Sequence, residues 1–530
     1  MPDTLKFFTV ISLSVFLTAC GGGSSNSSDS SEESPSTETS TENDSDDGDE
    51  TDADSGTDTD SDTGGYTFNP STPLSTLIVG TREFTSGTLT LENTDNSSPQ
   101  FQASNVEGNY GNLTLFANGG WEYQLNANTQ DLNSGQSVED LIAFQLTDGS
   151  TLSVTFSIQT IEATESSVVF IFMNFSDASV GNDLSVSQIA DMTFNDTDSL
   201  DNTYKENSLG QLKFRRHLSD NTSLAQYCYG EDNNESSSID CFNYNIPDSQ
   251  TGGVLSVANA QSRSGGQYTD GGYTWRDNAT SWIQNNYVDA NNRPVDLDDW
   301  RHRVYIYPEA AANADLVGTG VASVGGQWSI IVSDSDQLIM GHEIGHNIGL
   351  SHAGNDDNND GDTNDNNESE YGSSGSFMGN GWQSRLFGSG HRDYMGWYDA
   401  FTGYTETVGK SANTTARIDL QAIELTAGEL KESQPQLLKV ESTGSRNGEN
   451  YYYIEYHIDH DILNPRPYHE NAVTIHYLRG SSSNNVIANQ VATLSTPGDN
   501  FTDSSAGVTI EFESVDASNQ SATISVSYSN

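Results

Sequence analysis

Basic residues are scarce in this chain. Lysine and arginine together number 20 against 76 aspartate and glutamate residues, which gives a formal net charge of −56 over 530 residues. A chain so acidic repels nucleic acids and anionic membrane surfaces, so neither is expected as a partner. The same acidity keeps a protein soluble in salty surroundings and favours hard divalent cations wherever carboxylates converge.

Apolar residues form one run near the start of the chain, from Phe7 to Leu17, in a segment with a single lysine. This pattern indicates an export signal and not a membrane span. The segment ends in Leu17-Thr18-Ala19-Cys20, which resembles a bacterial lipobox, and the resemblance implies that Cys20 carries a lipid. Gly21 at the next position resembles sorting to an outer membrane. We therefore expect an exported lipoprotein at the outer membrane or cell surface, held by its lipid anchor only; the alternative is a plain cleavable signal.

Cysteine is also rare, with three residues in the whole chain. Cys20 belongs to the export segment, which leaves Cys228 and Cys241 as a pair in a protein that leaves the reducing cytosol. A disulfide between them is expected. The alternative, two thiolate metal ligands, fits poorly because their thirteen-residue spacing matches no usual zinc pattern.

The length predicts two to four domains, and composition divides the chain into five segments. Residues 21–64 contain fifteen acidic residues and no basic one, so they predict an extended linker without a core. The predicted segments are a lipoprotein signal peptide at 1–20, an acidic Ser/Thr/Asp-rich linker at 21–64, a β-sandwich at 65–163, the largest unit at 165–408 and a C-terminal β-sandwich at 409–530.

Short alternating strands separated by turn residues predict the first β-sandwich. Its stretch YGNLTLFANGGWEYQL, followed by LNSGQSVEDLIAFQLTDGSTLSVTFSI, resembles the bacterial VCBS-type repeat of cell-surface proteins. The resemblance implies a spacer, or else an adhesive element.

Continuous apolar runs in the largest unit predict buried strands at 168–175, 303–307 and 328–332. Just after the third run, Asp334 with Gln337 resembles a capping box that begins a helix. That helix contains the stretch HEIGHNIGLSH, residues 342–352.

On a helix, His342 and His346 lie at positions i and i+4 and project from one face, where both imidazoles can reach one metal ion. Gly349 can adopt a left-handed conformation, so the helix can end there and the chain can turn back to present His352. Three protein ligands leave a fourth position for water, which is the coordination of a catalytic zinc. Glu343 follows the first ligand directly and is the candidate general base.

HEIGHNIGLSH fits H-E-x-x-H-x-x-G-x-x-H, and the chain therefore resembles the metzincin zinc peptidases. The resemblance implies a methionine turn downstream, for which Met378 in Gly375-Ser376-Phe377-Met378-Gly379 is the candidate. The longer context EYGSSGSFMGNG and HRDYMGWY resembles the gametolysin family, although some members of that family have Gln where this chain has His342. Unlike astacin-type metzincins, the chain has no tyrosine two residues after Met378.

The expected fold is multidomain, with an α+β metzincin-like catalytic domain between N-terminal and C-terminal β-sandwich domains. The resemblance also places Gly318–Val332 at the edge strand that pairs with a peptide substrate, and Gly325-Gly326 would let a substrate backbone approach closely. An ordinary sheet strand with a glycine bulge explains the same pattern.

These features predict a zinc endopeptidase that hydrolyses extracellular proteins, with Zn²⁺ as cofactor and Glu343 as base. Two alternatives stay open. One is a surface adhesin whose zinc domain is inactive, and the other is a metalloprotease selective for mucins and other glycoproteins.

An acidic loop between His352 and Met378 resembles part of an EF-hand, so Ca²⁺ is a second candidate cofactor. The alternative is a solvated acidic loop, because the bidentate glutamate stands one place late. The candidate calcium ligands are Asp356, Asn358, Asp360, Asp362 and Glu368. A further metal site is conceivable at His457, Asp459, His460 and Asp461, which at the end of a strand are more simply explained as exposed polar residues.

Overall fold

The computed structural model describes residues 66–529 apart from several internal gaps. The gaps are 80–82, 94–98, 134, 177, 219–227, 229–238, 248–270, 290, 310–319, 362–367, 381–383, 402, 412–414, 427–428, 432–433, 461–462, 464–468 and 480–485. The chain is multidomain and mostly β, with few helices and several separate sheets in the described residues. The signal at 1–20, the linker at 21–64, Cys20 and Asp362 lie outside the described residues. No described helix is long and apolar enough to cross a membrane.

The first unit is built from two larger sheets and a small two-stranded sheet. Its strands are β1 Tyr66–Thr67, β2 Ser75–Ile78, β3 Phe84–Thr88, β4 Glu92–Asn93, β5 Ser104–Glu107, β6 Gly111–Leu115, β7 Gly120–Leu125, β8 Ser137–Gln145 and β9 Thr151–Gln159. The sheets have the orders β2-β9-β8, β3-β7-β6-β5 and β1-β4. From Asp140 in β8 and from Val154 in β9 every second residue is buried, and side chains of the two larger sheets share one core that includes Trp121, Tyr123 and Phe156.

The central unit is a largely parallel sheet with helices. Its strands are β10 Thr164–Asn174, β11 Leu212–Arg215, β12 Cys241–Asn245, β13 His302–Tyr307, β14 Gly320–Ala322 and β15 Trp328–Val332. Its helices are α1 Val186–Ala190, α2 Leu200–Asn207, α3 Gly271–Asn286, α4 Gln337–Asn347 and α5 Ser389–Tyr394. The sheet has the order β11-β10-β13-β15-β14, β12 also pairs with β10, and β14 is antiparallel to β15.

Strand β10 is buried on both faces, which explains its unbroken apolar sequence. Phe170 and Phe172 belong to the core that contains Met340 of α4, whereas Ile171 belongs to the opposite core with Trp275 of α3. Helices α4 and α3 therefore pack on opposite faces of the sheet. The apolar runs predicted as strands at 168–175, 303–307 and 328–332 lie in β10, β13 and β15, except that Phe175 follows the end of β10.

The remaining strands form two further sheets. They are β16 Leu350–Asn355, β17 Thr405–Val408, β18 Thr415–Gln421, β19 Leu437–Glu441, β20 Tyr451–Tyr456, β21 Val473–Arg479, β22 Val486–Leu494, β23 Asn500–Asp503, β24 Val508–Asp516 and β25 Ser521–Tyr528. The sheet orders are β16-β22-β21-β20-β19-β17 and β18-β25-β24-β23. We call the first of these the C-terminal sheet. It contains strands from both sides of residue 408, so the domain boundary predicted there does not coincide with a break between sheets.

Candidate metal centre

Helix α4 begins one residue after Asp336, whose carboxylate accepts hydrogen bonds from the backbone N–H groups of Leu338 at 3.0 Å and Ile339 at 3.1 Å. The capping residue is therefore Asp336, whereas the sequence had suggested Asp334. The predicted helix itself is present. Asp334 and Asp336 both stand just before the helix, and the sequence spacing alone did not decide which of them caps it.

Two glycines allow α4 to lie close to the segment that contains Met378. A Cβ atom at Gly345 would lie 2.5 Å from the Met378 sulfur, and one at Gly341 would collide with the ring of Phe377. Met378 is fully buried beneath the helix. Its carbonyl oxygen accepts a hydrogen bond of 2.8 Å from the backbone N–H of Ala353, the residue that follows His352. The methionine segment thus supports both the helix and the strand after it.

The helix ends at Asn347. Gly349 has a φ of +110°, a backbone conformation that residues with a Cβ atom rarely adopt. Its N–H donates to the carbonyl oxygen of His346 at 2.9 Å. The chain then reverses into β16, which contains His352. This turn was predicted from the glycine.

The structure brings the three histidines together. The ring centroids of His342 and His346 are 4.8 Å apart, those of His346 and His352 also 4.8 Å, and those of His342 and His352 5.4 Å. One ligand atom from each residue lies within 4.8 Å of the other two. In the described part of the chain this is the one group of three or more histidine, cysteine or acidic residues that could hold a metal ion.

Two of the rings are oriented by backbone carbonyl groups. Nδ1 of His342 lies 2.9 Å from the carbonyl oxygen of Phe377, and Nδ1 of His346 lies 2.8 Å from that of Leu350. Since a carbonyl only accepts, each Nδ1 is the protonated nitrogen, and each Nε2 keeps its lone pair for a metal. Burial lowers the pKa of His342 to about 4 and that of His346 well below its usual value. Both imidazoles are therefore neutral, which is the form that binds metals.

His352 is oriented differently. Its Nδ1 lies 3.7 Å from a carboxylate oxygen of Glu370, and its ring lies against Tyr371 with the ring centroids 3.9 Å apart. The Tyr371 centroid is also 6.1 Å from that of His342. The sequence analysis assigned no role to Glu370 or Tyr371, although both stand in the quoted stretch EYGSSGSFMGNG.

Glu343 is 6% exposed and its Oε2 atom has no hydrogen-bond partner. Burial raises the pKa of this carboxyl to about 8. A side chain at Gly320 of β14 would collide with Oε1, so the carboxyl group lies beside the edge strand of the central sheet. A buried carboxyl oxygen without a partner is costly unless a cation or a polar ligand completes its surroundings.

The acidic loop is docked on the C-terminal sheet. Asp356 is fully buried, and its carboxylate accepts hydrogen bonds from the Tyr477 hydroxyl at 2.6 Å, the Asp360 N–H at 3.0 Å and the Gly361 N–H at 2.8 Å. The N–H of Asn358 donates to Glu368 at 3.3 Å. Asp356, Asp360 and Glu368, the described acidic candidates, do not converge as a group of three around one ion position.

At the other conceivable metal site Asp459 is exposed, as predicted, but His457 is not. His457 is 2% exposed, and it contacts the carboxylate of Glu424 through Nδ1 at 2.9 Å and the hydroxyl of Thr474 through Nε2 at 2.8 Å. His460 instead pairs with Glu429 at 3.2 Å. His457 directly follows the last residue of β20, and the chain stays buried through Ile458. Asp461 lies outside the described residues.

Cys228 and Cys241 form a disulfide, with their Cα atoms 5.2 Å apart. Cys241 begins β12 and pairs in register with Phe170 of β10. The disulfide therefore ties Cys228 to the central sheet, on the face that packs against α4.

Fold and site together define a multidomain, mostly β protein with three converging histidines that could hold a metal ion. The chain matches no protein-family model and no curated protein. Among solved structures it is similar to a 2,6-sialyltransferase of Photobacterium sp. JT-ISH-224 (Vibrionaceae), crystallised with CMP and lactose, at 7% identity and a TM-score of 0.12. The match covers 44% of this chain and 34% of that chain, so it spans about a third of the sialyltransferase. A TM-score this low carries no argument about fold or function.

Proposed function

We propose that the chain is a zinc-dependent endopeptidase of the metzincin type, related to the gametolysin family, that hydrolyses extracellular proteins. The observation that carries this proposal is the convergence of His342, His346 and His352 within 4.8 Å, with the buried carboxyl group of Glu343 on the same helix. The finer fold assignment, a metzincin-like catalytic domain between two β-sandwich domains, belongs to the same proposal.

The donor set fits zinc. Neutral imidazoles suit Zn²⁺, and three protein ligands leave one position for solvent or substrate. His342, His346 and His352 would hold the ion, which when bound would polarise the peptide carbonyl and acidify water. The unpartnered Oε2 atom of Glu343 supports the fit, because a nearby cation favours the ionised carboxylate that burial alone disfavours.

Glu343 supplies the acid–base step. Its carboxylate takes a proton from water and then delivers that proton to the amine leaving group. Burial excludes bulk solvent from the carboxyl group, so the proton stays beside the reacting atoms. The carbonyl groups of Phe377 and Leu350 meanwhile hold the rings of His342 and His346 in one orientation.

Strand β14 is a suitable binding edge for a peptide. It is the last strand in the order of the central sheet and contacts α4. Gly320 lies directly against Glu343. An extended substrate paired with β14 would therefore carry its backbone past the carboxyl group.

The proposed location follows from the sequence. Export and lipidation at Cys20 would place the enzyme at an outer membrane or cell surface, where extracellular proteins and glycoproteins are its substrates. Membrane attachment would be by the lipid anchor only.

The test compares the full exported chain with Glu343→Gln on casein and gelatin. We expect turnover to fall by about 10²- to 10⁴-fold, since the variant keeps the metal ligands and loses the base. Glu406→Gln, the same change at an exposed position of β17, is the matched control and should keep full activity.

Metal content is measured on all three proteins, and activity is measured after treatment with a chelator and again after Zn²⁺ is added. The wild type should lose activity with the chelator and regain it with zinc. Equal turnover by wild type and Glu343→Gln would refute the proposal.

A further inference from the structure

The strand that contains His352 belongs to the C-terminal sheet. β16 pairs in parallel with β22, with Leu350 opposite Val486 and Ala353 opposite Ala488. Three steps along β16 thus correspond to two along β22, so Ser351 and His352 together face one residue of the partner. This is a β-bulge, which turns a side chain away from its regular direction.

His352 lies within this bulge, whereas the first two histidines lie on a helix of the central unit. On its other side, β16 is bonded to the methionine segment through Ala353 and Met378. His352 therefore lies where the C-terminal sheet meets the segment that supports α4. A shift of β16 along β22 would move this one ligand relative to the other two.

Side chains of the C-terminal sheet fix the chain just after β16. The Tyr477 hydroxyl donates to Asp356 at 2.6 Å, and the Asp356 N–H donates to the carbonyl oxygen of Gln490 at 2.8 Å. Tyr477 and Asp356 are both fully buried. Farther along the loop, Asn359 donates to the Tyr452 hydroxyl at 2.6 Å.

We propose that the C-terminal sheet sets the position of His352, with the Tyr477–Asp356 hydrogen bond as the contact that fixes β16, and that metal affinity depends on this contact. Tyr477 and Asp356 are positioning residues, since they act through His352. This explains why Asp356 is buried and bonded on both carboxylate oxygens. It rests on the metal site of the proposed function but not on peptide hydrolysis.

The test uses the full chain, freed of metal by dialysis against a chelator. Zn²⁺ affinity is measured by competition with a chromophoric chelator, and Co²⁺ is added in parallel because its visible spectrum reports ligand number and geometry. We expect Tyr477→Phe to weaken Zn²⁺ binding about tenfold, which is the usual loss of affinity when a residue that orients a metal ligand is replaced. The variant should also change the Co²⁺ spectrum.

Tyr456→Phe is the matched control. Tyr456 is fully buried in β20 of the same sheet, and its hydroxyl donates to Asn471 at 3.1 Å, away from β16. Both variants lose one buried hydroxyl, so the melting temperatures of their metal-free forms should fall by similar amounts. Only Tyr477→Phe should change the metal affinity.

A double-mutant cycle identifies the ligand through which Tyr477 acts. In a His352→Ala background, Tyr477→Phe should change Zn²⁺ affinity by less than about twofold, because the ligand it positions is already gone. The inference is overturned if Tyr477→Phe binds zinc as tightly as Tyr456→Phe, or if its full effect persists in His352→Ala. A wild type that binds no zinc would refute the proposed function itself, whereas zinc binding without peptidase activity would leave this inference standing.

Discussion

The three candidate ligands are oriented by partners of different chemistry. His342 and His346 donate to backbone carbonyl groups, while His352 faces the carboxylate of Glu370 at 3.7 Å. A carbonyl fixes the direction of a ring, whereas a carboxylate also makes the ring a stronger donor to a metal. In the described part of the chain, Glu370 is therefore the charged side chain that faces a ligand ring directly.

Replacing Glu370 with Gln keeps the size of the side chain and removes its charge. We expect Glu370→Gln to weaken Zn²⁺ binding about tenfold, because the ring of His352 loses the carboxylate that faces its Nδ1 atom. The measurement is a chelator competition on the full chain. Glu406→Gln serves as the control, and equal affinities for the two variants would show that Glu370 has no influence on the site.

The helical part of the site could be predicted from the sequence, because its geometry is local. A spacing of four residues places His342 and His346 on one face of any α-helix, and Gly349 marks its end. Glu370 and Tyr371 stand 18 and 19 residues after His352 in the chain, and no periodicity relates them to it. Their positions could be found only from the fold.

At the scale of elements, the turn after α4 links the helix to the third ligand. Gly349 has a φ of +110° and open space where a Cβ atom would lie, so a substitution there meets backbone strain but no collision. Gly448, in a loop of the C-terminal unit, has a φ of +76° and equally open surroundings. Comparing the two glycines therefore separates the effect of backbone strain itself from the effect of strain next to the metal ligands.

We expect Gly349→Ala to lower the free energy of unfolding by about 1–2 kcal/mol, the cost of a left-handed residue with a side chain. Gly448→Ala should cost a similar amount. Denaturant unfolding of the metal-free proteins measures both. Only Gly349→Ala should also weaken Zn²⁺ binding, because relaxation of the strained backbone at residue 349 moves β16 and with it His352. Equal zinc affinities in the two variants would contradict this.

The apolar strands of the central sheet were predictable, because burial on both faces leaves an unbroken hydrophobic run. Strand β16 was not. Its sequence LSHAGN has neither alternation nor an apolar run, and its partner β22 begins more than a hundred residues later in the chain. Pairing over such a distance is decided by the whole fold and not by local sequence.

At the scale of the whole molecule, the C-terminal sheet joins parts of the chain that composition had separated. Strands β16 and β17 precede residue 409, yet they form the two edges of a sheet whose inner strands follow it. Residues on both sides of the predicted boundary thus pair within one sheet. Stability and site geometry should therefore be linked across the predicted boundary.

Buried neutral histidines make this stability sensitive to acid. His302 is fully buried between Ser166 at 2.8 Å and Asn347 of α4 at 3.3 Å. Burial, together with the charge of Arg301, lowers its pKa to about 3. The unfolded chain, with an ordinary histidine pKa of about 6.5, binds a proton that the folded chain excludes. The contribution of His302 to stability is therefore complete above about pH 6.5 and is lost as the pH falls from there toward 3.

We expect His302→Gln to flatten the decline of stability with acid, by up to about 1.4 kcal/mol per pH unit between pH 6 and 4. An amide at this position can still bond to Ser166 or Asn347 but takes up no proton. Calorimetric unfolding of metal-free wild type and variant across this pH range measures the two slopes, and the three ligand histidines contribute equally to both. Parallel curves would mean that His302 accepts its proton in the folded state, against the effect of its burial.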